Sequence, residues 1–123
     1  MPRDYPRTRR VGEQIQRELA TLVREQVKDP RLGMTTVSAV QVSRDFSHAK
    51  VYVTVLGEPE VQRQSLQVLR RAAGFLRHEL GRRMLIRTVP ELHFVYDESI
   101  ERGSRLSDLI EQAVAEDSAR HKE

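Results

Sequence analysis

The sequence predicts an α+β domain in which helices cover one face of a three-stranded sheet. Three observations predict it. Apolar residues recur at helical spacing in two separate stretches, 11–23 and 61–84; two runs rich in β-branched residues lie between them; and beyond residue 90 the apolar period drops to two. Stacking the helices on the sheet buries every one of these apolar faces at once.

Residues 1–7, with Pro2, Pro6 and alternating charge, read as a loose arm. From Thr8, a candidate N-cap, the positions Val11, Ile15, Leu19, Leu22 and Val23 mark one side of a helix, which KDPRLG (28–33) ends through Pro30 and Gly33. TTVSAVQVS (35–43) is rich in β-branched residues, and AKVYVTVL (49–56) places Val51, Val53 and Val55 on one face. SRDFSH between them has hairpin length, so the two strands should pair antiparallel. GEPE (57–60) breaks the pattern, and a second helical run begins near Val61 and continues through Leu66, Leu69, Ala73, Leu76, Leu80 and Met84. In ELHFVYD, Leu92, Phe94 and Tyr96 share one face of a third strand. From Ser99 a further amphipathic helix is expected through Leu106, Leu109, Ile110 and Val114. The expected organisation is one domain over residues 1–110 and an acidic, partly flexible tail over 111–123.

A chain of 123 residues can bury about two thirds of its unfolded surface as a single domain. It has no cysteine, which excludes disulfides, thiolate zinc sites and cysteine nucleophiles together and fits a reducing compartment. The basic N-terminus is not followed by the apolar segment of a signal peptide, and no apolar run approaches a membrane span. A cytoplasmic protein without membrane attachment is expected.

Charge is distributed unevenly. Residues 70–87 carry six arginines against Glu79 alone, whereas residues 88–123 carry nine acids against Arg102, Arg105, Arg120 and Lys122. The first region attracts a polyanion and the second repels one. Of the 21 basic side chains only Lys28, Lys50 and Lys122 are lysine, and arginine's planar fork suits bidentate contact with phosphate. Arg3, Arg7, Arg9 and Arg10 precede the expected first helix, where like charge opposes the helix dipole, so this basic end reads either as an RNA-contacting arm or as a solvated terminus.

LRRAAGFLRHELGRR (69–83) holds a glycine in mid-helix, where it costs about 1 kcal/mol relative to alanine. On one ideal helix advancing about 100° per residue, with Arg70 at zero, Leu69, Ala72, Ala73, Leu76, Leu80 and Met84 fall within roughly 200–320°. Arg70, Arg71, Arg77, His78 and Arg82 fall within roughly 340–120°, and Gly74 lies among them at about 40°. Two readings stand together: Gly74 marks a kink or close-packing site, or its missing side chain lets a polyanion backbone approach the basic face. Phe75, at about 140°, borders that face and is the one aromatic suited either to base stacking or to the core.

AAGFLRHELGRRMLIRTVPELHFVYDES (72–99), with KDPRLG (28–33), VSRD (42–45), AKVYVTVLG (49–57) and RLSDLI (105–110), resembles the ribosome-binding factor A family, and the element order resembles a type II KH domain. The resemblance spans about residues 8–110. KH domains clamp a nucleic-acid backbone with a GxxG loop between two helices. The resemblance implies that a helix–kink–helix formed by Ala72, Ala73 and Gly74 replaces that loop. Ala73 stands where the family often has serine, and no GxxG is present, so base readout of the KH kind is not implied.

The candidate RNA-binding residues are Arg7, Arg9, Arg10, Arg70, Arg71, Gly74, Arg77, His78, Arg82 and Arg83. The resemblance further implies a monomeric, non-enzymatic factor that binds the free small ribosomal subunit and the 5′ region of its rRNA. It would assist late maturation, rRNA processing and growth in the cold, with a ribosome-assembly GTPase as a further partner. The alternative is a KH-like regulator that binds mRNA or single-stranded DNA by sequence. No cofactor is expected. His48, His78, His93 and His121 have no HxxxH spacing and lie in different elements, so no metal site is expected either, since one would require them to converge in space. Asp97, Glu98 and Glu101 read as solvated loop charge, and no P-loop or GxSxG motif is present, which leaves no catalytic candidate.

Overall fold

In the computed structural model, which describes residues 6–99, the elements run α1 (Arg7–Gln26), β1 (Thr35–Val42), β2 (His48–Val55), α2 (Pro59–Arg71), α3 (Ala73–Arg83) and β3 (Glu91–Tyr96). This is the predicted α+β order. The domain boundary expected at residue 110, the helix expected beyond Ser99 and the tail over 111–123 lie outside the described residues.

The start of α1 differs from expectation. Pro6, with φ −63° and ψ 146°, occupies the N-cap, and its carbonyl accepts from the Arg9 and Arg10 amides at 3.0 and 3.2 Å. Proline fixes φ and brings the chain into helix geometry one residue later, so Thr8 lies inside the helix instead of capping it. Arg7, Arg9 and Arg10 are therefore helical residues and do not belong to an arm that precedes the helix.

The sheet order is β1-β2-β3. β1 and β2 form the expected antiparallel hairpin, and β3 adds to β2 in parallel with His48 opposite Glu91 and Val51 opposite Phe94. A parallel neighbour requires a crossover, and the α2–α3 pair supplies it. In the hairpin turn, Phe46 sits at φ 63° and the Asp45 carboxylate accepts from the Ser47 hydroxyl and amide and from the Ser43 hydroxyl. These bonds, the one from the Ser47 side chain foremost, hold the Asp45 carboxyl at about 2, below its ordinary value.

A bulge between Val37 and Ala39 lets β1 fit the sheet. Without it, period-two alternation would point Val37 inward but Val40 and Val42 outward; the extra residue flips the phase and keeps Val37 and Val42 both buried. Gln16 of α1 donates its amide to the carbonyls of Val37 and Ser38 at 3.2 and 3.0 Å, satisfying the backbone at the irregularity.

All three helices lie on one face of the sheet. Ile15, Leu19 and Leu22 of α1, Leu69 of α2, and Leu76 and Leu80 of α3 are fully buried against Val51, Val53 and Phe94. Ser65 is the one buried polar side chain among the described residues, and its hydroxyl accepts the Gly33 amide at 2.8 Å. A Cβ on Gly33 would fall 2.8 Å from Val61, so this glycine lets the segment after α1 lie directly on α2. Ser65→Ala would leave the part-buried Gly33 amide without its partner, and urea denaturation should show a loss of about 1–3 kcal/mol. A loss within about 0.5 kcal/mol would mean that water reaches that amide.

Candidate nucleic-acid interface

The long helical run is two helices. α2 stops at Arg71, Ala72 takes φ −86° and ψ 0°, and α3 begins at Ala73. The Ala72 amide still donates to the Val68 carbonyl at 3.0 Å, and its own carbonyl accepts from Leu76 at 2.8 Å, so hydrogen bonding runs through the bend. The kink is centred on Ala72, and Gly74 lies in the first turn of α3.

A Cβ placed on Gly74 would meet nothing within 4 Å. That overturns close packing as the reason for the glycine. Its φ is not in the left-handed region either, so backbone geometry does not demand it. Within the described residues the cost of this glycine in a helix is unrecovered, and the space above it faces outward.

Gly74, Arg77, His78, Gly81 and Arg82 recur at spacings of three and four and form one stripe along α3. With Val89 they line a shallow groove of about 420 Å³. Gly81, absent from the candidates above, lies seven residues after Gly74, and a Cβ there would stand 3.1 Å from Val89. The repeat of glycine two turns apart was the available signal.

The arginines separate by what holds them. Arg77 donates Nε and Nη2 to the Val89 carbonyl at 3.0 and 2.8 Å, and Arg70 donates the same pair of groups to the Phe94 carbonyl at 3.1 and 2.9 Å. A guanidinium has five N–H donors, so each clamped arginine keeps three for another acceptor. Clamping also fixes the side chain in advance and lowers the entropy lost when that acceptor arrives. Arg82 stands 3.6 Å from Glu79 with its side chain 69% exposed, a weak tie that solvent screens.

Arg83 points elsewhere, lying 3.5 Å from Glu18 of α1 and only one-third exposed. Arg71, the last residue of α2, is exposed and near Asp29, whose carboxyl is held at about 2 chiefly by hydrogen bonds from Arg31 and more weakly by the Arg71 charge. Phe75 is 46% exposed beside Gly74. At the start of α1, the Arg7 guanidinium lies 5.4 Å from the centre of the Phe46 ring. The structure thus gathers Gly74, Arg77, His78 and Arg82 in one groove, sets Arg70 and Arg71 on the preceding helix, and places Arg7, Arg9 and Arg10 on α1.

Of the acidic candidates, Asp97 accepts from the Ser38 hydroxyl and from the Ser99 amide, and Glu101 lies outside the described residues. No helix among the described residues is long and apolar enough to cross a membrane.

Comparison with known proteins gives a consistent set of relatives. A family model described as ribosome-binding factor A matches residues 7–110. The ribosome-binding factor A of Thioalkalivibrio sulfidiphilus is 62% identical over 121 residues, covering 98% of this chain and 94% of that protein. The crystal structure of ribosome-binding factor A from Thermus thermophilus superposes with a TM-score of 0.65 at 35% identity, over 72% of this chain and 94% of that one. A homology model of the Thermus thermophilus factor, fitted into a cryo-EM map of its 30S complex, matches at a TM-score of 0.60 and 37% identity, over 71% of this chain and 91% of that one. With the same fold, and sequence similarity across nearly its whole length, the chain belongs to the ribosome-binding factor A family.

Proposed function

We propose that this chain is a non-enzymatic assembly factor that binds the free small ribosomal subunit by gripping rRNA phosphates along the α3 stripe. The observation that carries the reading is the open space over Gly74, set in a groove with the clamped Arg77 and with His78 and Arg82. A phosphate backbone can approach the helix at Gly74 while guanidinium groups on either side engage its oxygens. The Thermus thermophilus relative fitted into a 30S map supports the choice of partner. Arg70, Arg71, Arg83 and the arginines of α1 would extend the contact beyond the groove.

The contacts are to backbone phosphates, so specificity comes from the folded shape of the rRNA. A factor that binds one rRNA conformation more tightly raises its population in proportion to that difference. The proposed target is the 5′ region of the small-subunit rRNA during late maturation and rRNA processing in the cytoplasm. The proposed need is greatest in the cold, where misfolded rRNA escapes slowly, and an assembly GTPase would then displace the monomeric factor.

Co-sedimentation with purified small subunits and with protein-free RNA, across a salt series, tests this reading with Gly74 variants. Gly74→Ala should raise stability by up to about 1 kcal/mol, because helix propensity improves and the added Cβ meets no neighbour, and Gly74→Leu, which gains helix propensity in the same way, should stay folded. Wild-type protein should stay on subunits at salt that clears naked RNA, and the folded Gly74→Leu protein should be lost from both. Undiminished subunit binding by Gly74→Leu would remove the glycine from the contact. Equal salt sensitivity on subunits and naked RNA would reduce the protein to a generic basic binder, and tight binding to short oligonucleotides of one sequence would point to an mRNA or single-stranded DNA regulator.

A further inference from the structure

We propose that His48, Glu91 and His93 form a binding site for a divalent transition-metal ion of the zinc class, on the sheet face turned away from the helices. The parallel register places His48 opposite Glu91 and Lys50 opposite His93. Side chains alternate between faces along a strand, so His48, Glu91 and His93 all emerge on the same exposed side. Sequence spacing hid this, because the two histidines meet only through the pairing of β2 with β3.

The distances suit a metal ion. His48 Nδ1 stands 3.0 Å from His93 Nε2 and 3.7 Å from Glu91 Oε1, and the three donor atoms all lie within 4.8 Å of one another. Tetrahedral zinc with bonds of about 2.0–2.1 Å sets its ligand atoms roughly 3.3 Å apart, between those two separations. The facing imidazole nitrogens share one proton, since one must donate and the other accept. When a metal ion binds, the donating histidine changes tautomer, its proton passing through solvent to its other ring nitrogen, and both facing lone pairs turn to the ion, with the Glu91 carboxylate as third ligand and water in the fourth position.

Two imidazoles and one carboxylate favour zinc, copper or nickel over magnesium, which prefers oxygen ligands throughout. Lys50 lines the same surface depression as both histidines, and its positive charge opposes occupancy. Affinity is therefore set by a balance between three ligands and one neighbouring cation. An ion here would tie the first residue of β2 to the first residue of β3 at the end of their parallel pairing.

The test uses the full chain without an affinity tag, stripped of metal and titrated calorimetrically with zinc and with magnesium, with thermal unfolding recorded alongside. The expected result is one zinc ion per chain, no saturable magnesium binding and a melting temperature that rises with zinc. His93→Ala and Glu91→Gln should each weaken zinc binding at least tenfold and cancel the thermal shift, whereas Lys50→Gln should tighten it. His78→Ala and His121→Ala should leave the affinity unchanged. All three ligands are exposed, so circular dichroism should show the variants folded. Wild-type zinc affinity in the His48→Ala/His93→Ala protein, or the absence of saturable zinc binding by wild type, would overturn the site.

Discussion

Gly12→Val is expected to destabilise the protein by about 3 kcal/mol or more, through a contact that no local feature of the sequence announces. Gly12 lies on α1 where the helix crosses β1, and a Cβ there would stand 2.7 Å from the Val40 carbonyl oxygen and 3.6 Å from Val42. The obstructing atom is backbone in a paired strand, so relief requires α1 to lift away from the sheet. Such a shift loosens Ile15 and Leu19 in the core as well as the Gln16 bonds to the bulge. Gly12→Ala should also destabilise, by a net of about 1–2 kcal/mol, because overpacking exceeds the roughly 1 kcal/mol gained in helix propensity. Gly12→Ala and Gly74→Ala are thus expected to move the urea midpoint in opposite directions. A stabilising Gly12→Ala would show that the helix does not sit this close to the strand.

The Arg71→Glu/Arg82→Glu protein should bind small subunits about 10²-fold more weakly at 0.1 M salt, with a log–log salt slope shallower by about two. The pair is chosen because neither side chain takes part in the carbonyl clamps, so the variant removes phosphate contacts without releasing Phe94 or Val89. Each phosphate contact releases about one counterion, and at 0.1 M salt that release contributes roughly one decade of affinity. Arg77→Glu should weaken binding too, but it also frees the Val89 carbonyl and is expected to lower stability more than the double variant, which loses only solvent-screened attractions to Glu79 and Asp29. A salt slope equal to wild type for the double variant would place Arg71 and Arg82 outside the interface.

Much of this fold is legible in the sequence because its elements are amphipathic over their full length. Val11 to Val23 and Leu66 to Met84 keep helical spacing, the valines of β2 alternate strictly, and the five-residue turn between the strands is too short for anything but a hairpin. The features that depend on two distant segments are not legible in this way. Nothing near Ser65 indicates that its hydroxyl will meet Gly33, and nothing near Gly12 indicates Val40. The bend shows the same limit. A glycine in a helix suggests a break at itself, yet the chain turns at Ala72, and the ideal-helix angles cease to relate Arg70 and Arg71 to α3. Those angles also place Arg70 on the basic face without revealing its bond to Phe94. Charge alone groups Arg83 with its neighbours, whereas its position on α3 turns it toward Glu18.

The Arg70 clamp has a bearing on solubility. In a parallel ladder, residues whose amides reach the neighbouring strand alternate with residues whose backbone faces outward. Glu91 and Asp97 donate to Ser47 and Val53 at the ends of the β2–β3 pairing, which leaves Phe94 among the residues that face the sheet's outer margin. An unprotected strand margin invites a strand from another molecule to add to it, the first step of edge-to-edge aggregation. Here the carbonyl at the middle of that margin is already held by two donors of a cation, so an incoming strand must break a charge-assisted bond before it can form its own. A positive charge in a protein of this family invites a reading in terms of RNA; at Arg70 it also keeps one copy of the chain from using another as a template.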